Sequence, residues 1–241
     1  DGPAHQLRLN RFVMGHAETL LADVLRFSGP ADAILRRTFR SQRSLGKRDR
    51  GTIGELTYAV LRHLRTLRAL AGEDAPPRIL LAAALTRYLR ADDETLSRCL
   101  SEPEVAWAKG IAAASANDFP EAVRLELPDW LHARLVQEYG AERTVDLARA
   151  LNRPAPLDLR VNTIKATRQE VRDRLREDGH EATACPFSPV GVRLAGKPSL
   201  IGSPLLLDGL AEVQDEGSQL LGYLVAPKRR EMVSDFCAGA G

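Results

Sequence analysis

The stretch DFCAGAG at residues 235–241 holds the residue types that cradle a nucleotide-like ligand. An acid, Asp235, stands ahead of a run of small residues, Cys237, Ala238, Gly239, Ala240 and Gly241. Small residues let the backbone come close to a ligand, and their N–H groups can donate to it. A G-x-G alone is a common tight turn, so its setting decides its weight. Residues 232–236 read as a strand, and ahead of them come a short strand ending at Val213 and a helix over residues 216–224, stopped by Pro227. Helix, strand and glycine loop in that order open many doubly wound α/β domains. An acid just before the loop fits S-adenosyl-L-methionine better than the G-x-G-x-x-G dinucleotide fingerprint. A nicotinamide-dependent enzyme of the same fold is the rival, and it requires a third glycine and a later acid.

A second set of residues could hold polyanions. Residues 36–50, RRTFRSQRSLGKRDR, carry seven Lys/Arg against one Asp. Arg36, Arg40, Arg43 and Lys47 step by three or four, with Arg48 beside them, so a continuous helix would place the four on one face. Gly46 argues against that continuity. Such density attracts phosphates because neutralising them releases condensed counterions; the plainer reading is a solvated face. Arg160, Asn162 and Lys165 gather at the end of a strand, LDLRV, and form a weaker candidate contact to phosphate or base.

The elements behind these residues change character along the chain. Between residues 8 and 27, Leu9, Val13, Ala17, Leu20, Val24 and Phe27 fall at helical spacing. Further helices are expected over residues 32–42 and 48–70, then after Pro76 and Pro77 in RILLAAALTRYLR, and in DDETLSRCL and PEVAWAKGIAAAS. Short loops between them imply a bundle. Residues 116–127 read as a linker. DWLHARLVQEYG and AERTVDLARALN are two more helices, with Trp130 expected in the core. The pattern then becomes strand, helix, strand, strand: LDLRV, TRQEVRDRLREDG with a Thr167/Glu170 capping box, EATAC and GVRLA. That order suggests an RRM-like or ferredoxin-like sheet, without the aromatics on which an RRM stacks bases.

Bulk properties exclude several classes. The hydrophobic share, 44%, supports a packed core rather than disorder. Net charge is +2, with the excess in residues 1–75, which hold 13 Lys/Arg against 8 Asp/Glu. The longest apolar run, ILLAAAL, is far shorter than the roughly 20 residues that span a bilayer. Three scattered cysteines, Cys99, Cys185 and Cys237, argue for a reducing compartment, so a cytoplasmic protein is expected. His5, His16, His63, His132 and His180 show no metal or triad spacing, and no metal is expected.

Three stretches, LRVNTIKATRQEV, EVQDEGSQL and DFCAGAG, together resemble the Sun/Fmu (RsmB-like) family of 16S ribosomal RNA cytosine-C5 methyltransferases, in its N-terminal portion. LGKRDRGTIGELTYAVLRHL is similar to the family's NusB-like RNA-binding domain, PLDLRVN to its small RNA-recognition subdomain, and the terminal loop to its cofactor motif. The resemblance implies a mainly α NusB-like bundle (1–115), a linker (116–127), a small α+β subdomain (128–210) and the first elements of a Rossmann-like methyltransferase domain (211–241). It implies S-adenosyl-L-methionine as cofactor, held by Asp235 and residues 237–241, and ribosomal RNA as partner of a monomer that touches no membrane.

The family reaction adds a cysteine thiolate to C6 of cytosine, methylates C5, and uses a second cysteine for release. Those cysteines lie in Pro-Cys and Thr-Cys motifs, which this chain lacks, and Cys237 belongs to the cofactor loop. The chain alone is therefore expected to hold no catalytic residue and to be inactive. The alternative is a NusB-like RNA- or protein-binding module without chemistry.

Overall fold

The structure is a computed structural model that describes residues 9–115, 117–196, 198–200, 202–228 and 230–236. The chain forms two compact units, Asp1–Arg153 and Pro154–Gly241.

The first unit is helical: α1 (Arg11–Val24), α2 (Ala31–Ser41), α3 (Lys47–Arg62), α4 (Leu64–Ala71), α5 (Pro77–Arg87), α6 (Asp93–Cys99), α7 (Glu102–Ala113), α8 (Glu121–Arg124), α9 (Asp129–Tyr139) and α10 (Ala141–Leu151). Asn10 caps α1 by accepting from Val13 N at 2.9 Å. Pro77 occupies the first turn of α5, where a missing N–H costs nothing. Helix α5 is the centre of the unit. Leu80, Leu81, Ala82, Ala83, Ala84 and Leu85 are all fully buried, and the alanines let α1, α3, α4 and α7 approach closely. A helix apolar on every side has no solvent face.

Glu104 fastens α7 to α5. It completes a capping box with Ser101, whose backbone N donates to it at 2.7 Å, and it takes a second hydrogen bond from Arg78 Nη2 at 3.1 Å. Arg78 also donates to Cys99 O and lies 3.5 Å from Glu18 on α1. The Arg78 hydrogen bond, with help from Ser101, pulls the Glu104 carboxyl from 4.5 down to about 2. A carboxyl with a depressed native pKa adds stability above its unfolded value, and that stability is lost as pH falls toward 2. Urea midpoints measured from pH 5 to about 2 should therefore fall more steeply in the native sequence than in Arg78→Gln. Parallel curves would show that the pair contributes nothing.

Two expectations for this unit need correction. The helix expected over residues 48–70 breaks at His63, whose backbone leaves the helical region (φ −121°, ψ 25°). The free N–H groups of the restarted helix find a carboxylate from far along the chain: Arg65 N and Thr66 N donate to Glu126 at 2.9 and 3.4 Å. His63 stacks flat on Tyr88, with ring centroids 3.6 Å apart. Trp130, expected in the core, is 71% exposed, and α9 has no buried residue; Leu131, Leu135 and Val136 are only half-buried. Within residues 117–127, α8 lies against α4, where Thr66 Oγ1 donates to Val123 O at 3.1 Å.

The second unit runs β1 (Leu157–Val161), α11 (Arg168–Glu177), β2 (Ala182–Ala184), β3 (Gly191–Leu194), α12 (Pro204–Leu207), β4 (Ala211–Val213) and α13 (Glu216–Val225). The strands pair antiparallel in the order β2-β3-β1-β4. A β-α-β-β-α-β chain with β1 inside the sheet is the ferredoxin-like arrangement. Leu159, Val161, Val192, Leu194 and Ala211 meet Val171 and Leu175 of α11 in its core. The Thr167/Glu170 capping box starts α11, with Thr167 N donating to the Glu170 carboxylate at 2.7 Å, and Gly179 (φ +81°) carries the chain out of it.

Here too the Rossmann expectation meets a difference. The strand ending at Val213 pairs with β1 and completes the small sheet. Residues 232–236, expected as a strand, are irregular, because an isolated strand has no ladder to join; Met232 and Phe236 are 95% and 100% exposed. Helix α13 forms as expected and ends at Ala226 in the left-handed region, just before Pro227. None of the described helices is long and apolar enough to cross a membrane.

Candidate nucleic-acid interface

The basic cluster does not lie on one helix. Arg36 and Arg40 sit on α2, Arg43 in the following loop, and Lys47 and Arg48 in the first turn of α3. Helix α2 stops at Ser41, and Gly46 caps α3, its N–H donating to Asp49 at 3.1 Å. The connecting loop is held from both sides. Leu45 is buried, and Arg50 donates to Leu45 O and Gln42 O at 3.0 and 3.3 Å. Arg50 is thus a structural residue, whereas Arg36, Arg40, Arg43, Lys47 and Arg48 are exposed and make no hydrogen bond or ion pair to a described residue. Helix, pinned loop and helix present the five unpaired cations together on a fixed backbone.

Arg160, Asn162 and Lys165 do come together at the end of β1. Arg160 reaches across to β4, donating to Glu212 at 2.6 Å and Gln214 at 3.0 Å. Asn162 Nδ2 donates to Gly209 O at 3.1 Å, while its Oδ1 accepts from Ile164 N. Lys165 Nζ donates to Asp208 O at 2.7 Å. All three tie the β1–α11 turn to β4 and the turn before it. Beside them opens a cavity of about 590 Å³, lined by Arg160, Asn162, Ile164, Glu212, Tyr223 and Pro227 among others. That size suits a small ligand. Arg160 is ion-paired at its wall, and Ile164 is 95% exposed at its mouth, so the lining is mixed rather than strongly cationic.

A buried ionic cluster holds the base of α13, and reading the sequence missed it. Arg193 on β3 forks onto Asp158 of β1, both contacts at 2.7 Å, and reaches Glu216 of α13 at 3.2 Å. Glu216 accepts from Phe187 N and Ser188 N at 2.6 and 2.7 Å, and its own N–H donates to Asp158 at 3.3 Å. The sequence carries no signal for it: in the alternating strand LDLRV, Asp158 falls on the same face as exposed Arg160, opposite Leu159 and Val161, and only folding buries it. Cys185 lies beside the two carboxylates, within 4.8 Å. Arg193 supplies the cation there. Burial first, then the charges of Asp158 and Glu216, push the Cys185 thiol up to about 11, so it stays protonated and is neither nucleophile nor thiolate ligand at neutral pH. Cys99, pushed up to about 11 by burial, is equally inert.

Of the expected cofactor residues, Asp235 is exposed; Cys237, Ala238, Gly239, Ala240 and Gly241 lie outside the described residues.

The strand order and connectivity of the second unit define a ferredoxin-like domain. Residues 127–200 match the family described as the RsmF/B-like methyltransferase ferredoxin-like domain. The match begins ahead of α9, so it takes in α9 and α10 as well as the first three strands. The resemblance to the N-terminal portion of the Sun/Fmu family extends over most of the chain. The chain is 28% identical to the probable ribosomal RNA small subunit methyltransferase B of Synechocystis sp., over 92% of its own length and 57% of that protein. It is 30% identical to the ribosomal RNA small subunit methyltransferase B of Pseudomonas syringae pv. tomato, over 80% of its length and 49% of that protein. The chain thus spans about half the length of the curated relatives it matches. The crystal structure of PH0851 shares the fold over 90% of this chain and 56% of that one, with a TM-score of 0.61 at 20% identity.

Proposed function

We propose that this chain is the RNA-binding front of a ribosomal RNA (cytosine-C5) methyltransferase that uses S-adenosyl-L-methionine and acts on 16S RNA. The observation that carries the reading is the family match at residues 127–200, on a sheet complete in its four strands. In this reading residues 1–115 are a NusB-like RNA-binding bundle, joined by 116–127 to the small α+β subdomain. β4 serves that subdomain, and α13 with the segment after it begins the methyltransferase domain. Arg36, Arg40, Arg43, Lys47 and Arg48 contact RNA phosphates; they are exposed and unpaired, as that role requires. Arg160, Asn162 and Lys165 shape the edge at which RNA meets the small sheet. Asp235 and residues 237–241 approach the cofactor. The protein works as a monomer without metal, and the catalytic cysteines belong to the part of the protein that the relatives carry beyond the region matched here.

The test is methyl transfer from radiolabelled S-adenosyl-L-methionine to 16S RNA, with nuclease digestion to locate the label. A full-length protein containing this chain should label cytosine C5, and the 241 residues alone should give no turnover. Turnover by the isolated chain, or label on another base, would overturn the reading.

A further inference from the structure

The helical unit holds a second concave site, unrelated to the α2–α3 cations. A cleft of about 380 Å³ lies where α4, α5, α8 and α10 meet, lined by Arg87, Tyr88, Asn117, Arg124, Arg149 and Asn152 among others. Glu121 is the only acid among the described residues that line it, so three guanidinium groups face one carboxylate. That carboxylate is already engaged: it lies 2.9 Å from His132 Nε2 and 3.8 Å from Arg124. Arg87 is fixed in direction, because its Nη1 donates to Ile111 O and Ala114 O at the end of α7, at 3.1 and 2.8 Å. Arg149 makes no hydrogen bond or ion pair to a described residue, and neither do the side-chain amides of Asn117 and Asn152. The cleft thus combines excess positive charge, unused donors and a concave wall. Guanidinium forks match the oxygens of a phosphate, and charge-assisted hydrogen bonds to phosphate are about twice as strong as neutral ones.

We infer that this cleft binds a phosphodiester of the RNA backbone, with Arg149 and Arg124 as its mobile clamps and Arg87 as its fixed cation. The inference rests on the reading of the chain as RNA-binding and adds a site to it. Arg124 and Arg149 come from different helices, so the cleft selects a strand that bends into the concavity rather than one lying flat on the surface.

The experiment measures binding of a fluorescein-labelled single-stranded RNA of about 20 nucleotides to the full chain by anisotropy across a salt series. Each phosphate contact on a single strand contributes about 0.7 to the slope of log K against log salt. The double variant Arg124→Gln/Arg149→Gln should therefore lower the slope by about 1.4 and weaken binding roughly tenfold. A control of equal charge, Arg134→Gln/Arg143→Gln, removes two exposed arginines from α9 and α10 outside the cleft lining. It should change the slope much less. Cleft variants that bind like the native chain overturn the site and leave the RNA reading standing. An equal effect of the control overturns it too, since general charge is then the cause. A native chain that binds no RNA at any salt overturns both. Unchanged circular dichroism of the variants separates lost contacts from lost folding.

Discussion

Arg193→Met should loosen the ferredoxin-like unit by about 3 kcal/mol, enough to raise amide exchange throughout β1, β3 and the first turn of α13 while leaving α5 untouched. Asp158 has a fully buried side chain and Glu216 a nearly buried one, and Arg193 is the cation that both share. Removing one partner of a buried pair leaves an uncompensated charge, which costs far more than the pair itself contributes. Lysine at this position keeps the charge but not the fork, so Arg193→Lys should fall between native and Met. Replacing all three groups together, Arg193→Met with Asp158→Leu and Glu216→Gln, should recover much of the loss, because no buried charge is left behind. Hydrogen exchange read by mass spectrometry, peptide by peptide, gives both units in one experiment. Native-like protection of β1 and β3 in Arg193→Met would show the cluster to be dispensable.

Reversing Arg36, Arg40 and Arg43 to Glu should flatten the salt dependence of RNA binding by about 2 in slope, three lost contacts at about 0.7 each. Like-charge repulsion from the new carboxylates weakens binding further. All three arginines are exposed and unpaired, so folding should change by only a few tenths of a kcal/mol each. Lys47→Gln/Arg48→Gln should have a smaller effect of the same sign. RNA binding that persists with the native slope would return these residues to the role of a solvated face.

Much of the fold was legible where one segment carries its own instruction. The buried face of α1 from Val13 to Val24, the proline start of α5 and the Thr167/Glu170 box of α11 are local patterns and appear as read; Phe27, expected to continue the α1 face, lies past the helix end at φ +49° and is exposed. The misses share a cause of the opposite kind. The break at His63 depends on Glu126, which lies far along the chain and reaches back to cap α4. Trp130 satisfies a helical stripe, yet α9 offers no buried site to receive it. β4 was visible as a strand, but its partner was not, since pairing with β1 is a property of the sheet and not of three residues.

The candidate sites divide the same way. The α2–α3 cations are a run in sequence and can be read from it. Arg87, Arg124 and Arg149 belong to three separate helices and become a cluster only when those helices meet. Asp158, Arg193 and Glu216 are likewise scattered and ordinary in composition until folding buries them.

The two buried thiols give each unit its own reporter. Cys99 sits in the helical unit and Cys185 in the ferredoxin-like one, both enclosed and both protonated at neutral pH. An alkylating reagent can reach either sulfur only when its surroundings open, so each labelling rate is a clock for the breathing of one unit. Followed side by side in the native chain, the two clocks would tell whether the units open together or separately, without introducing a probe at either position.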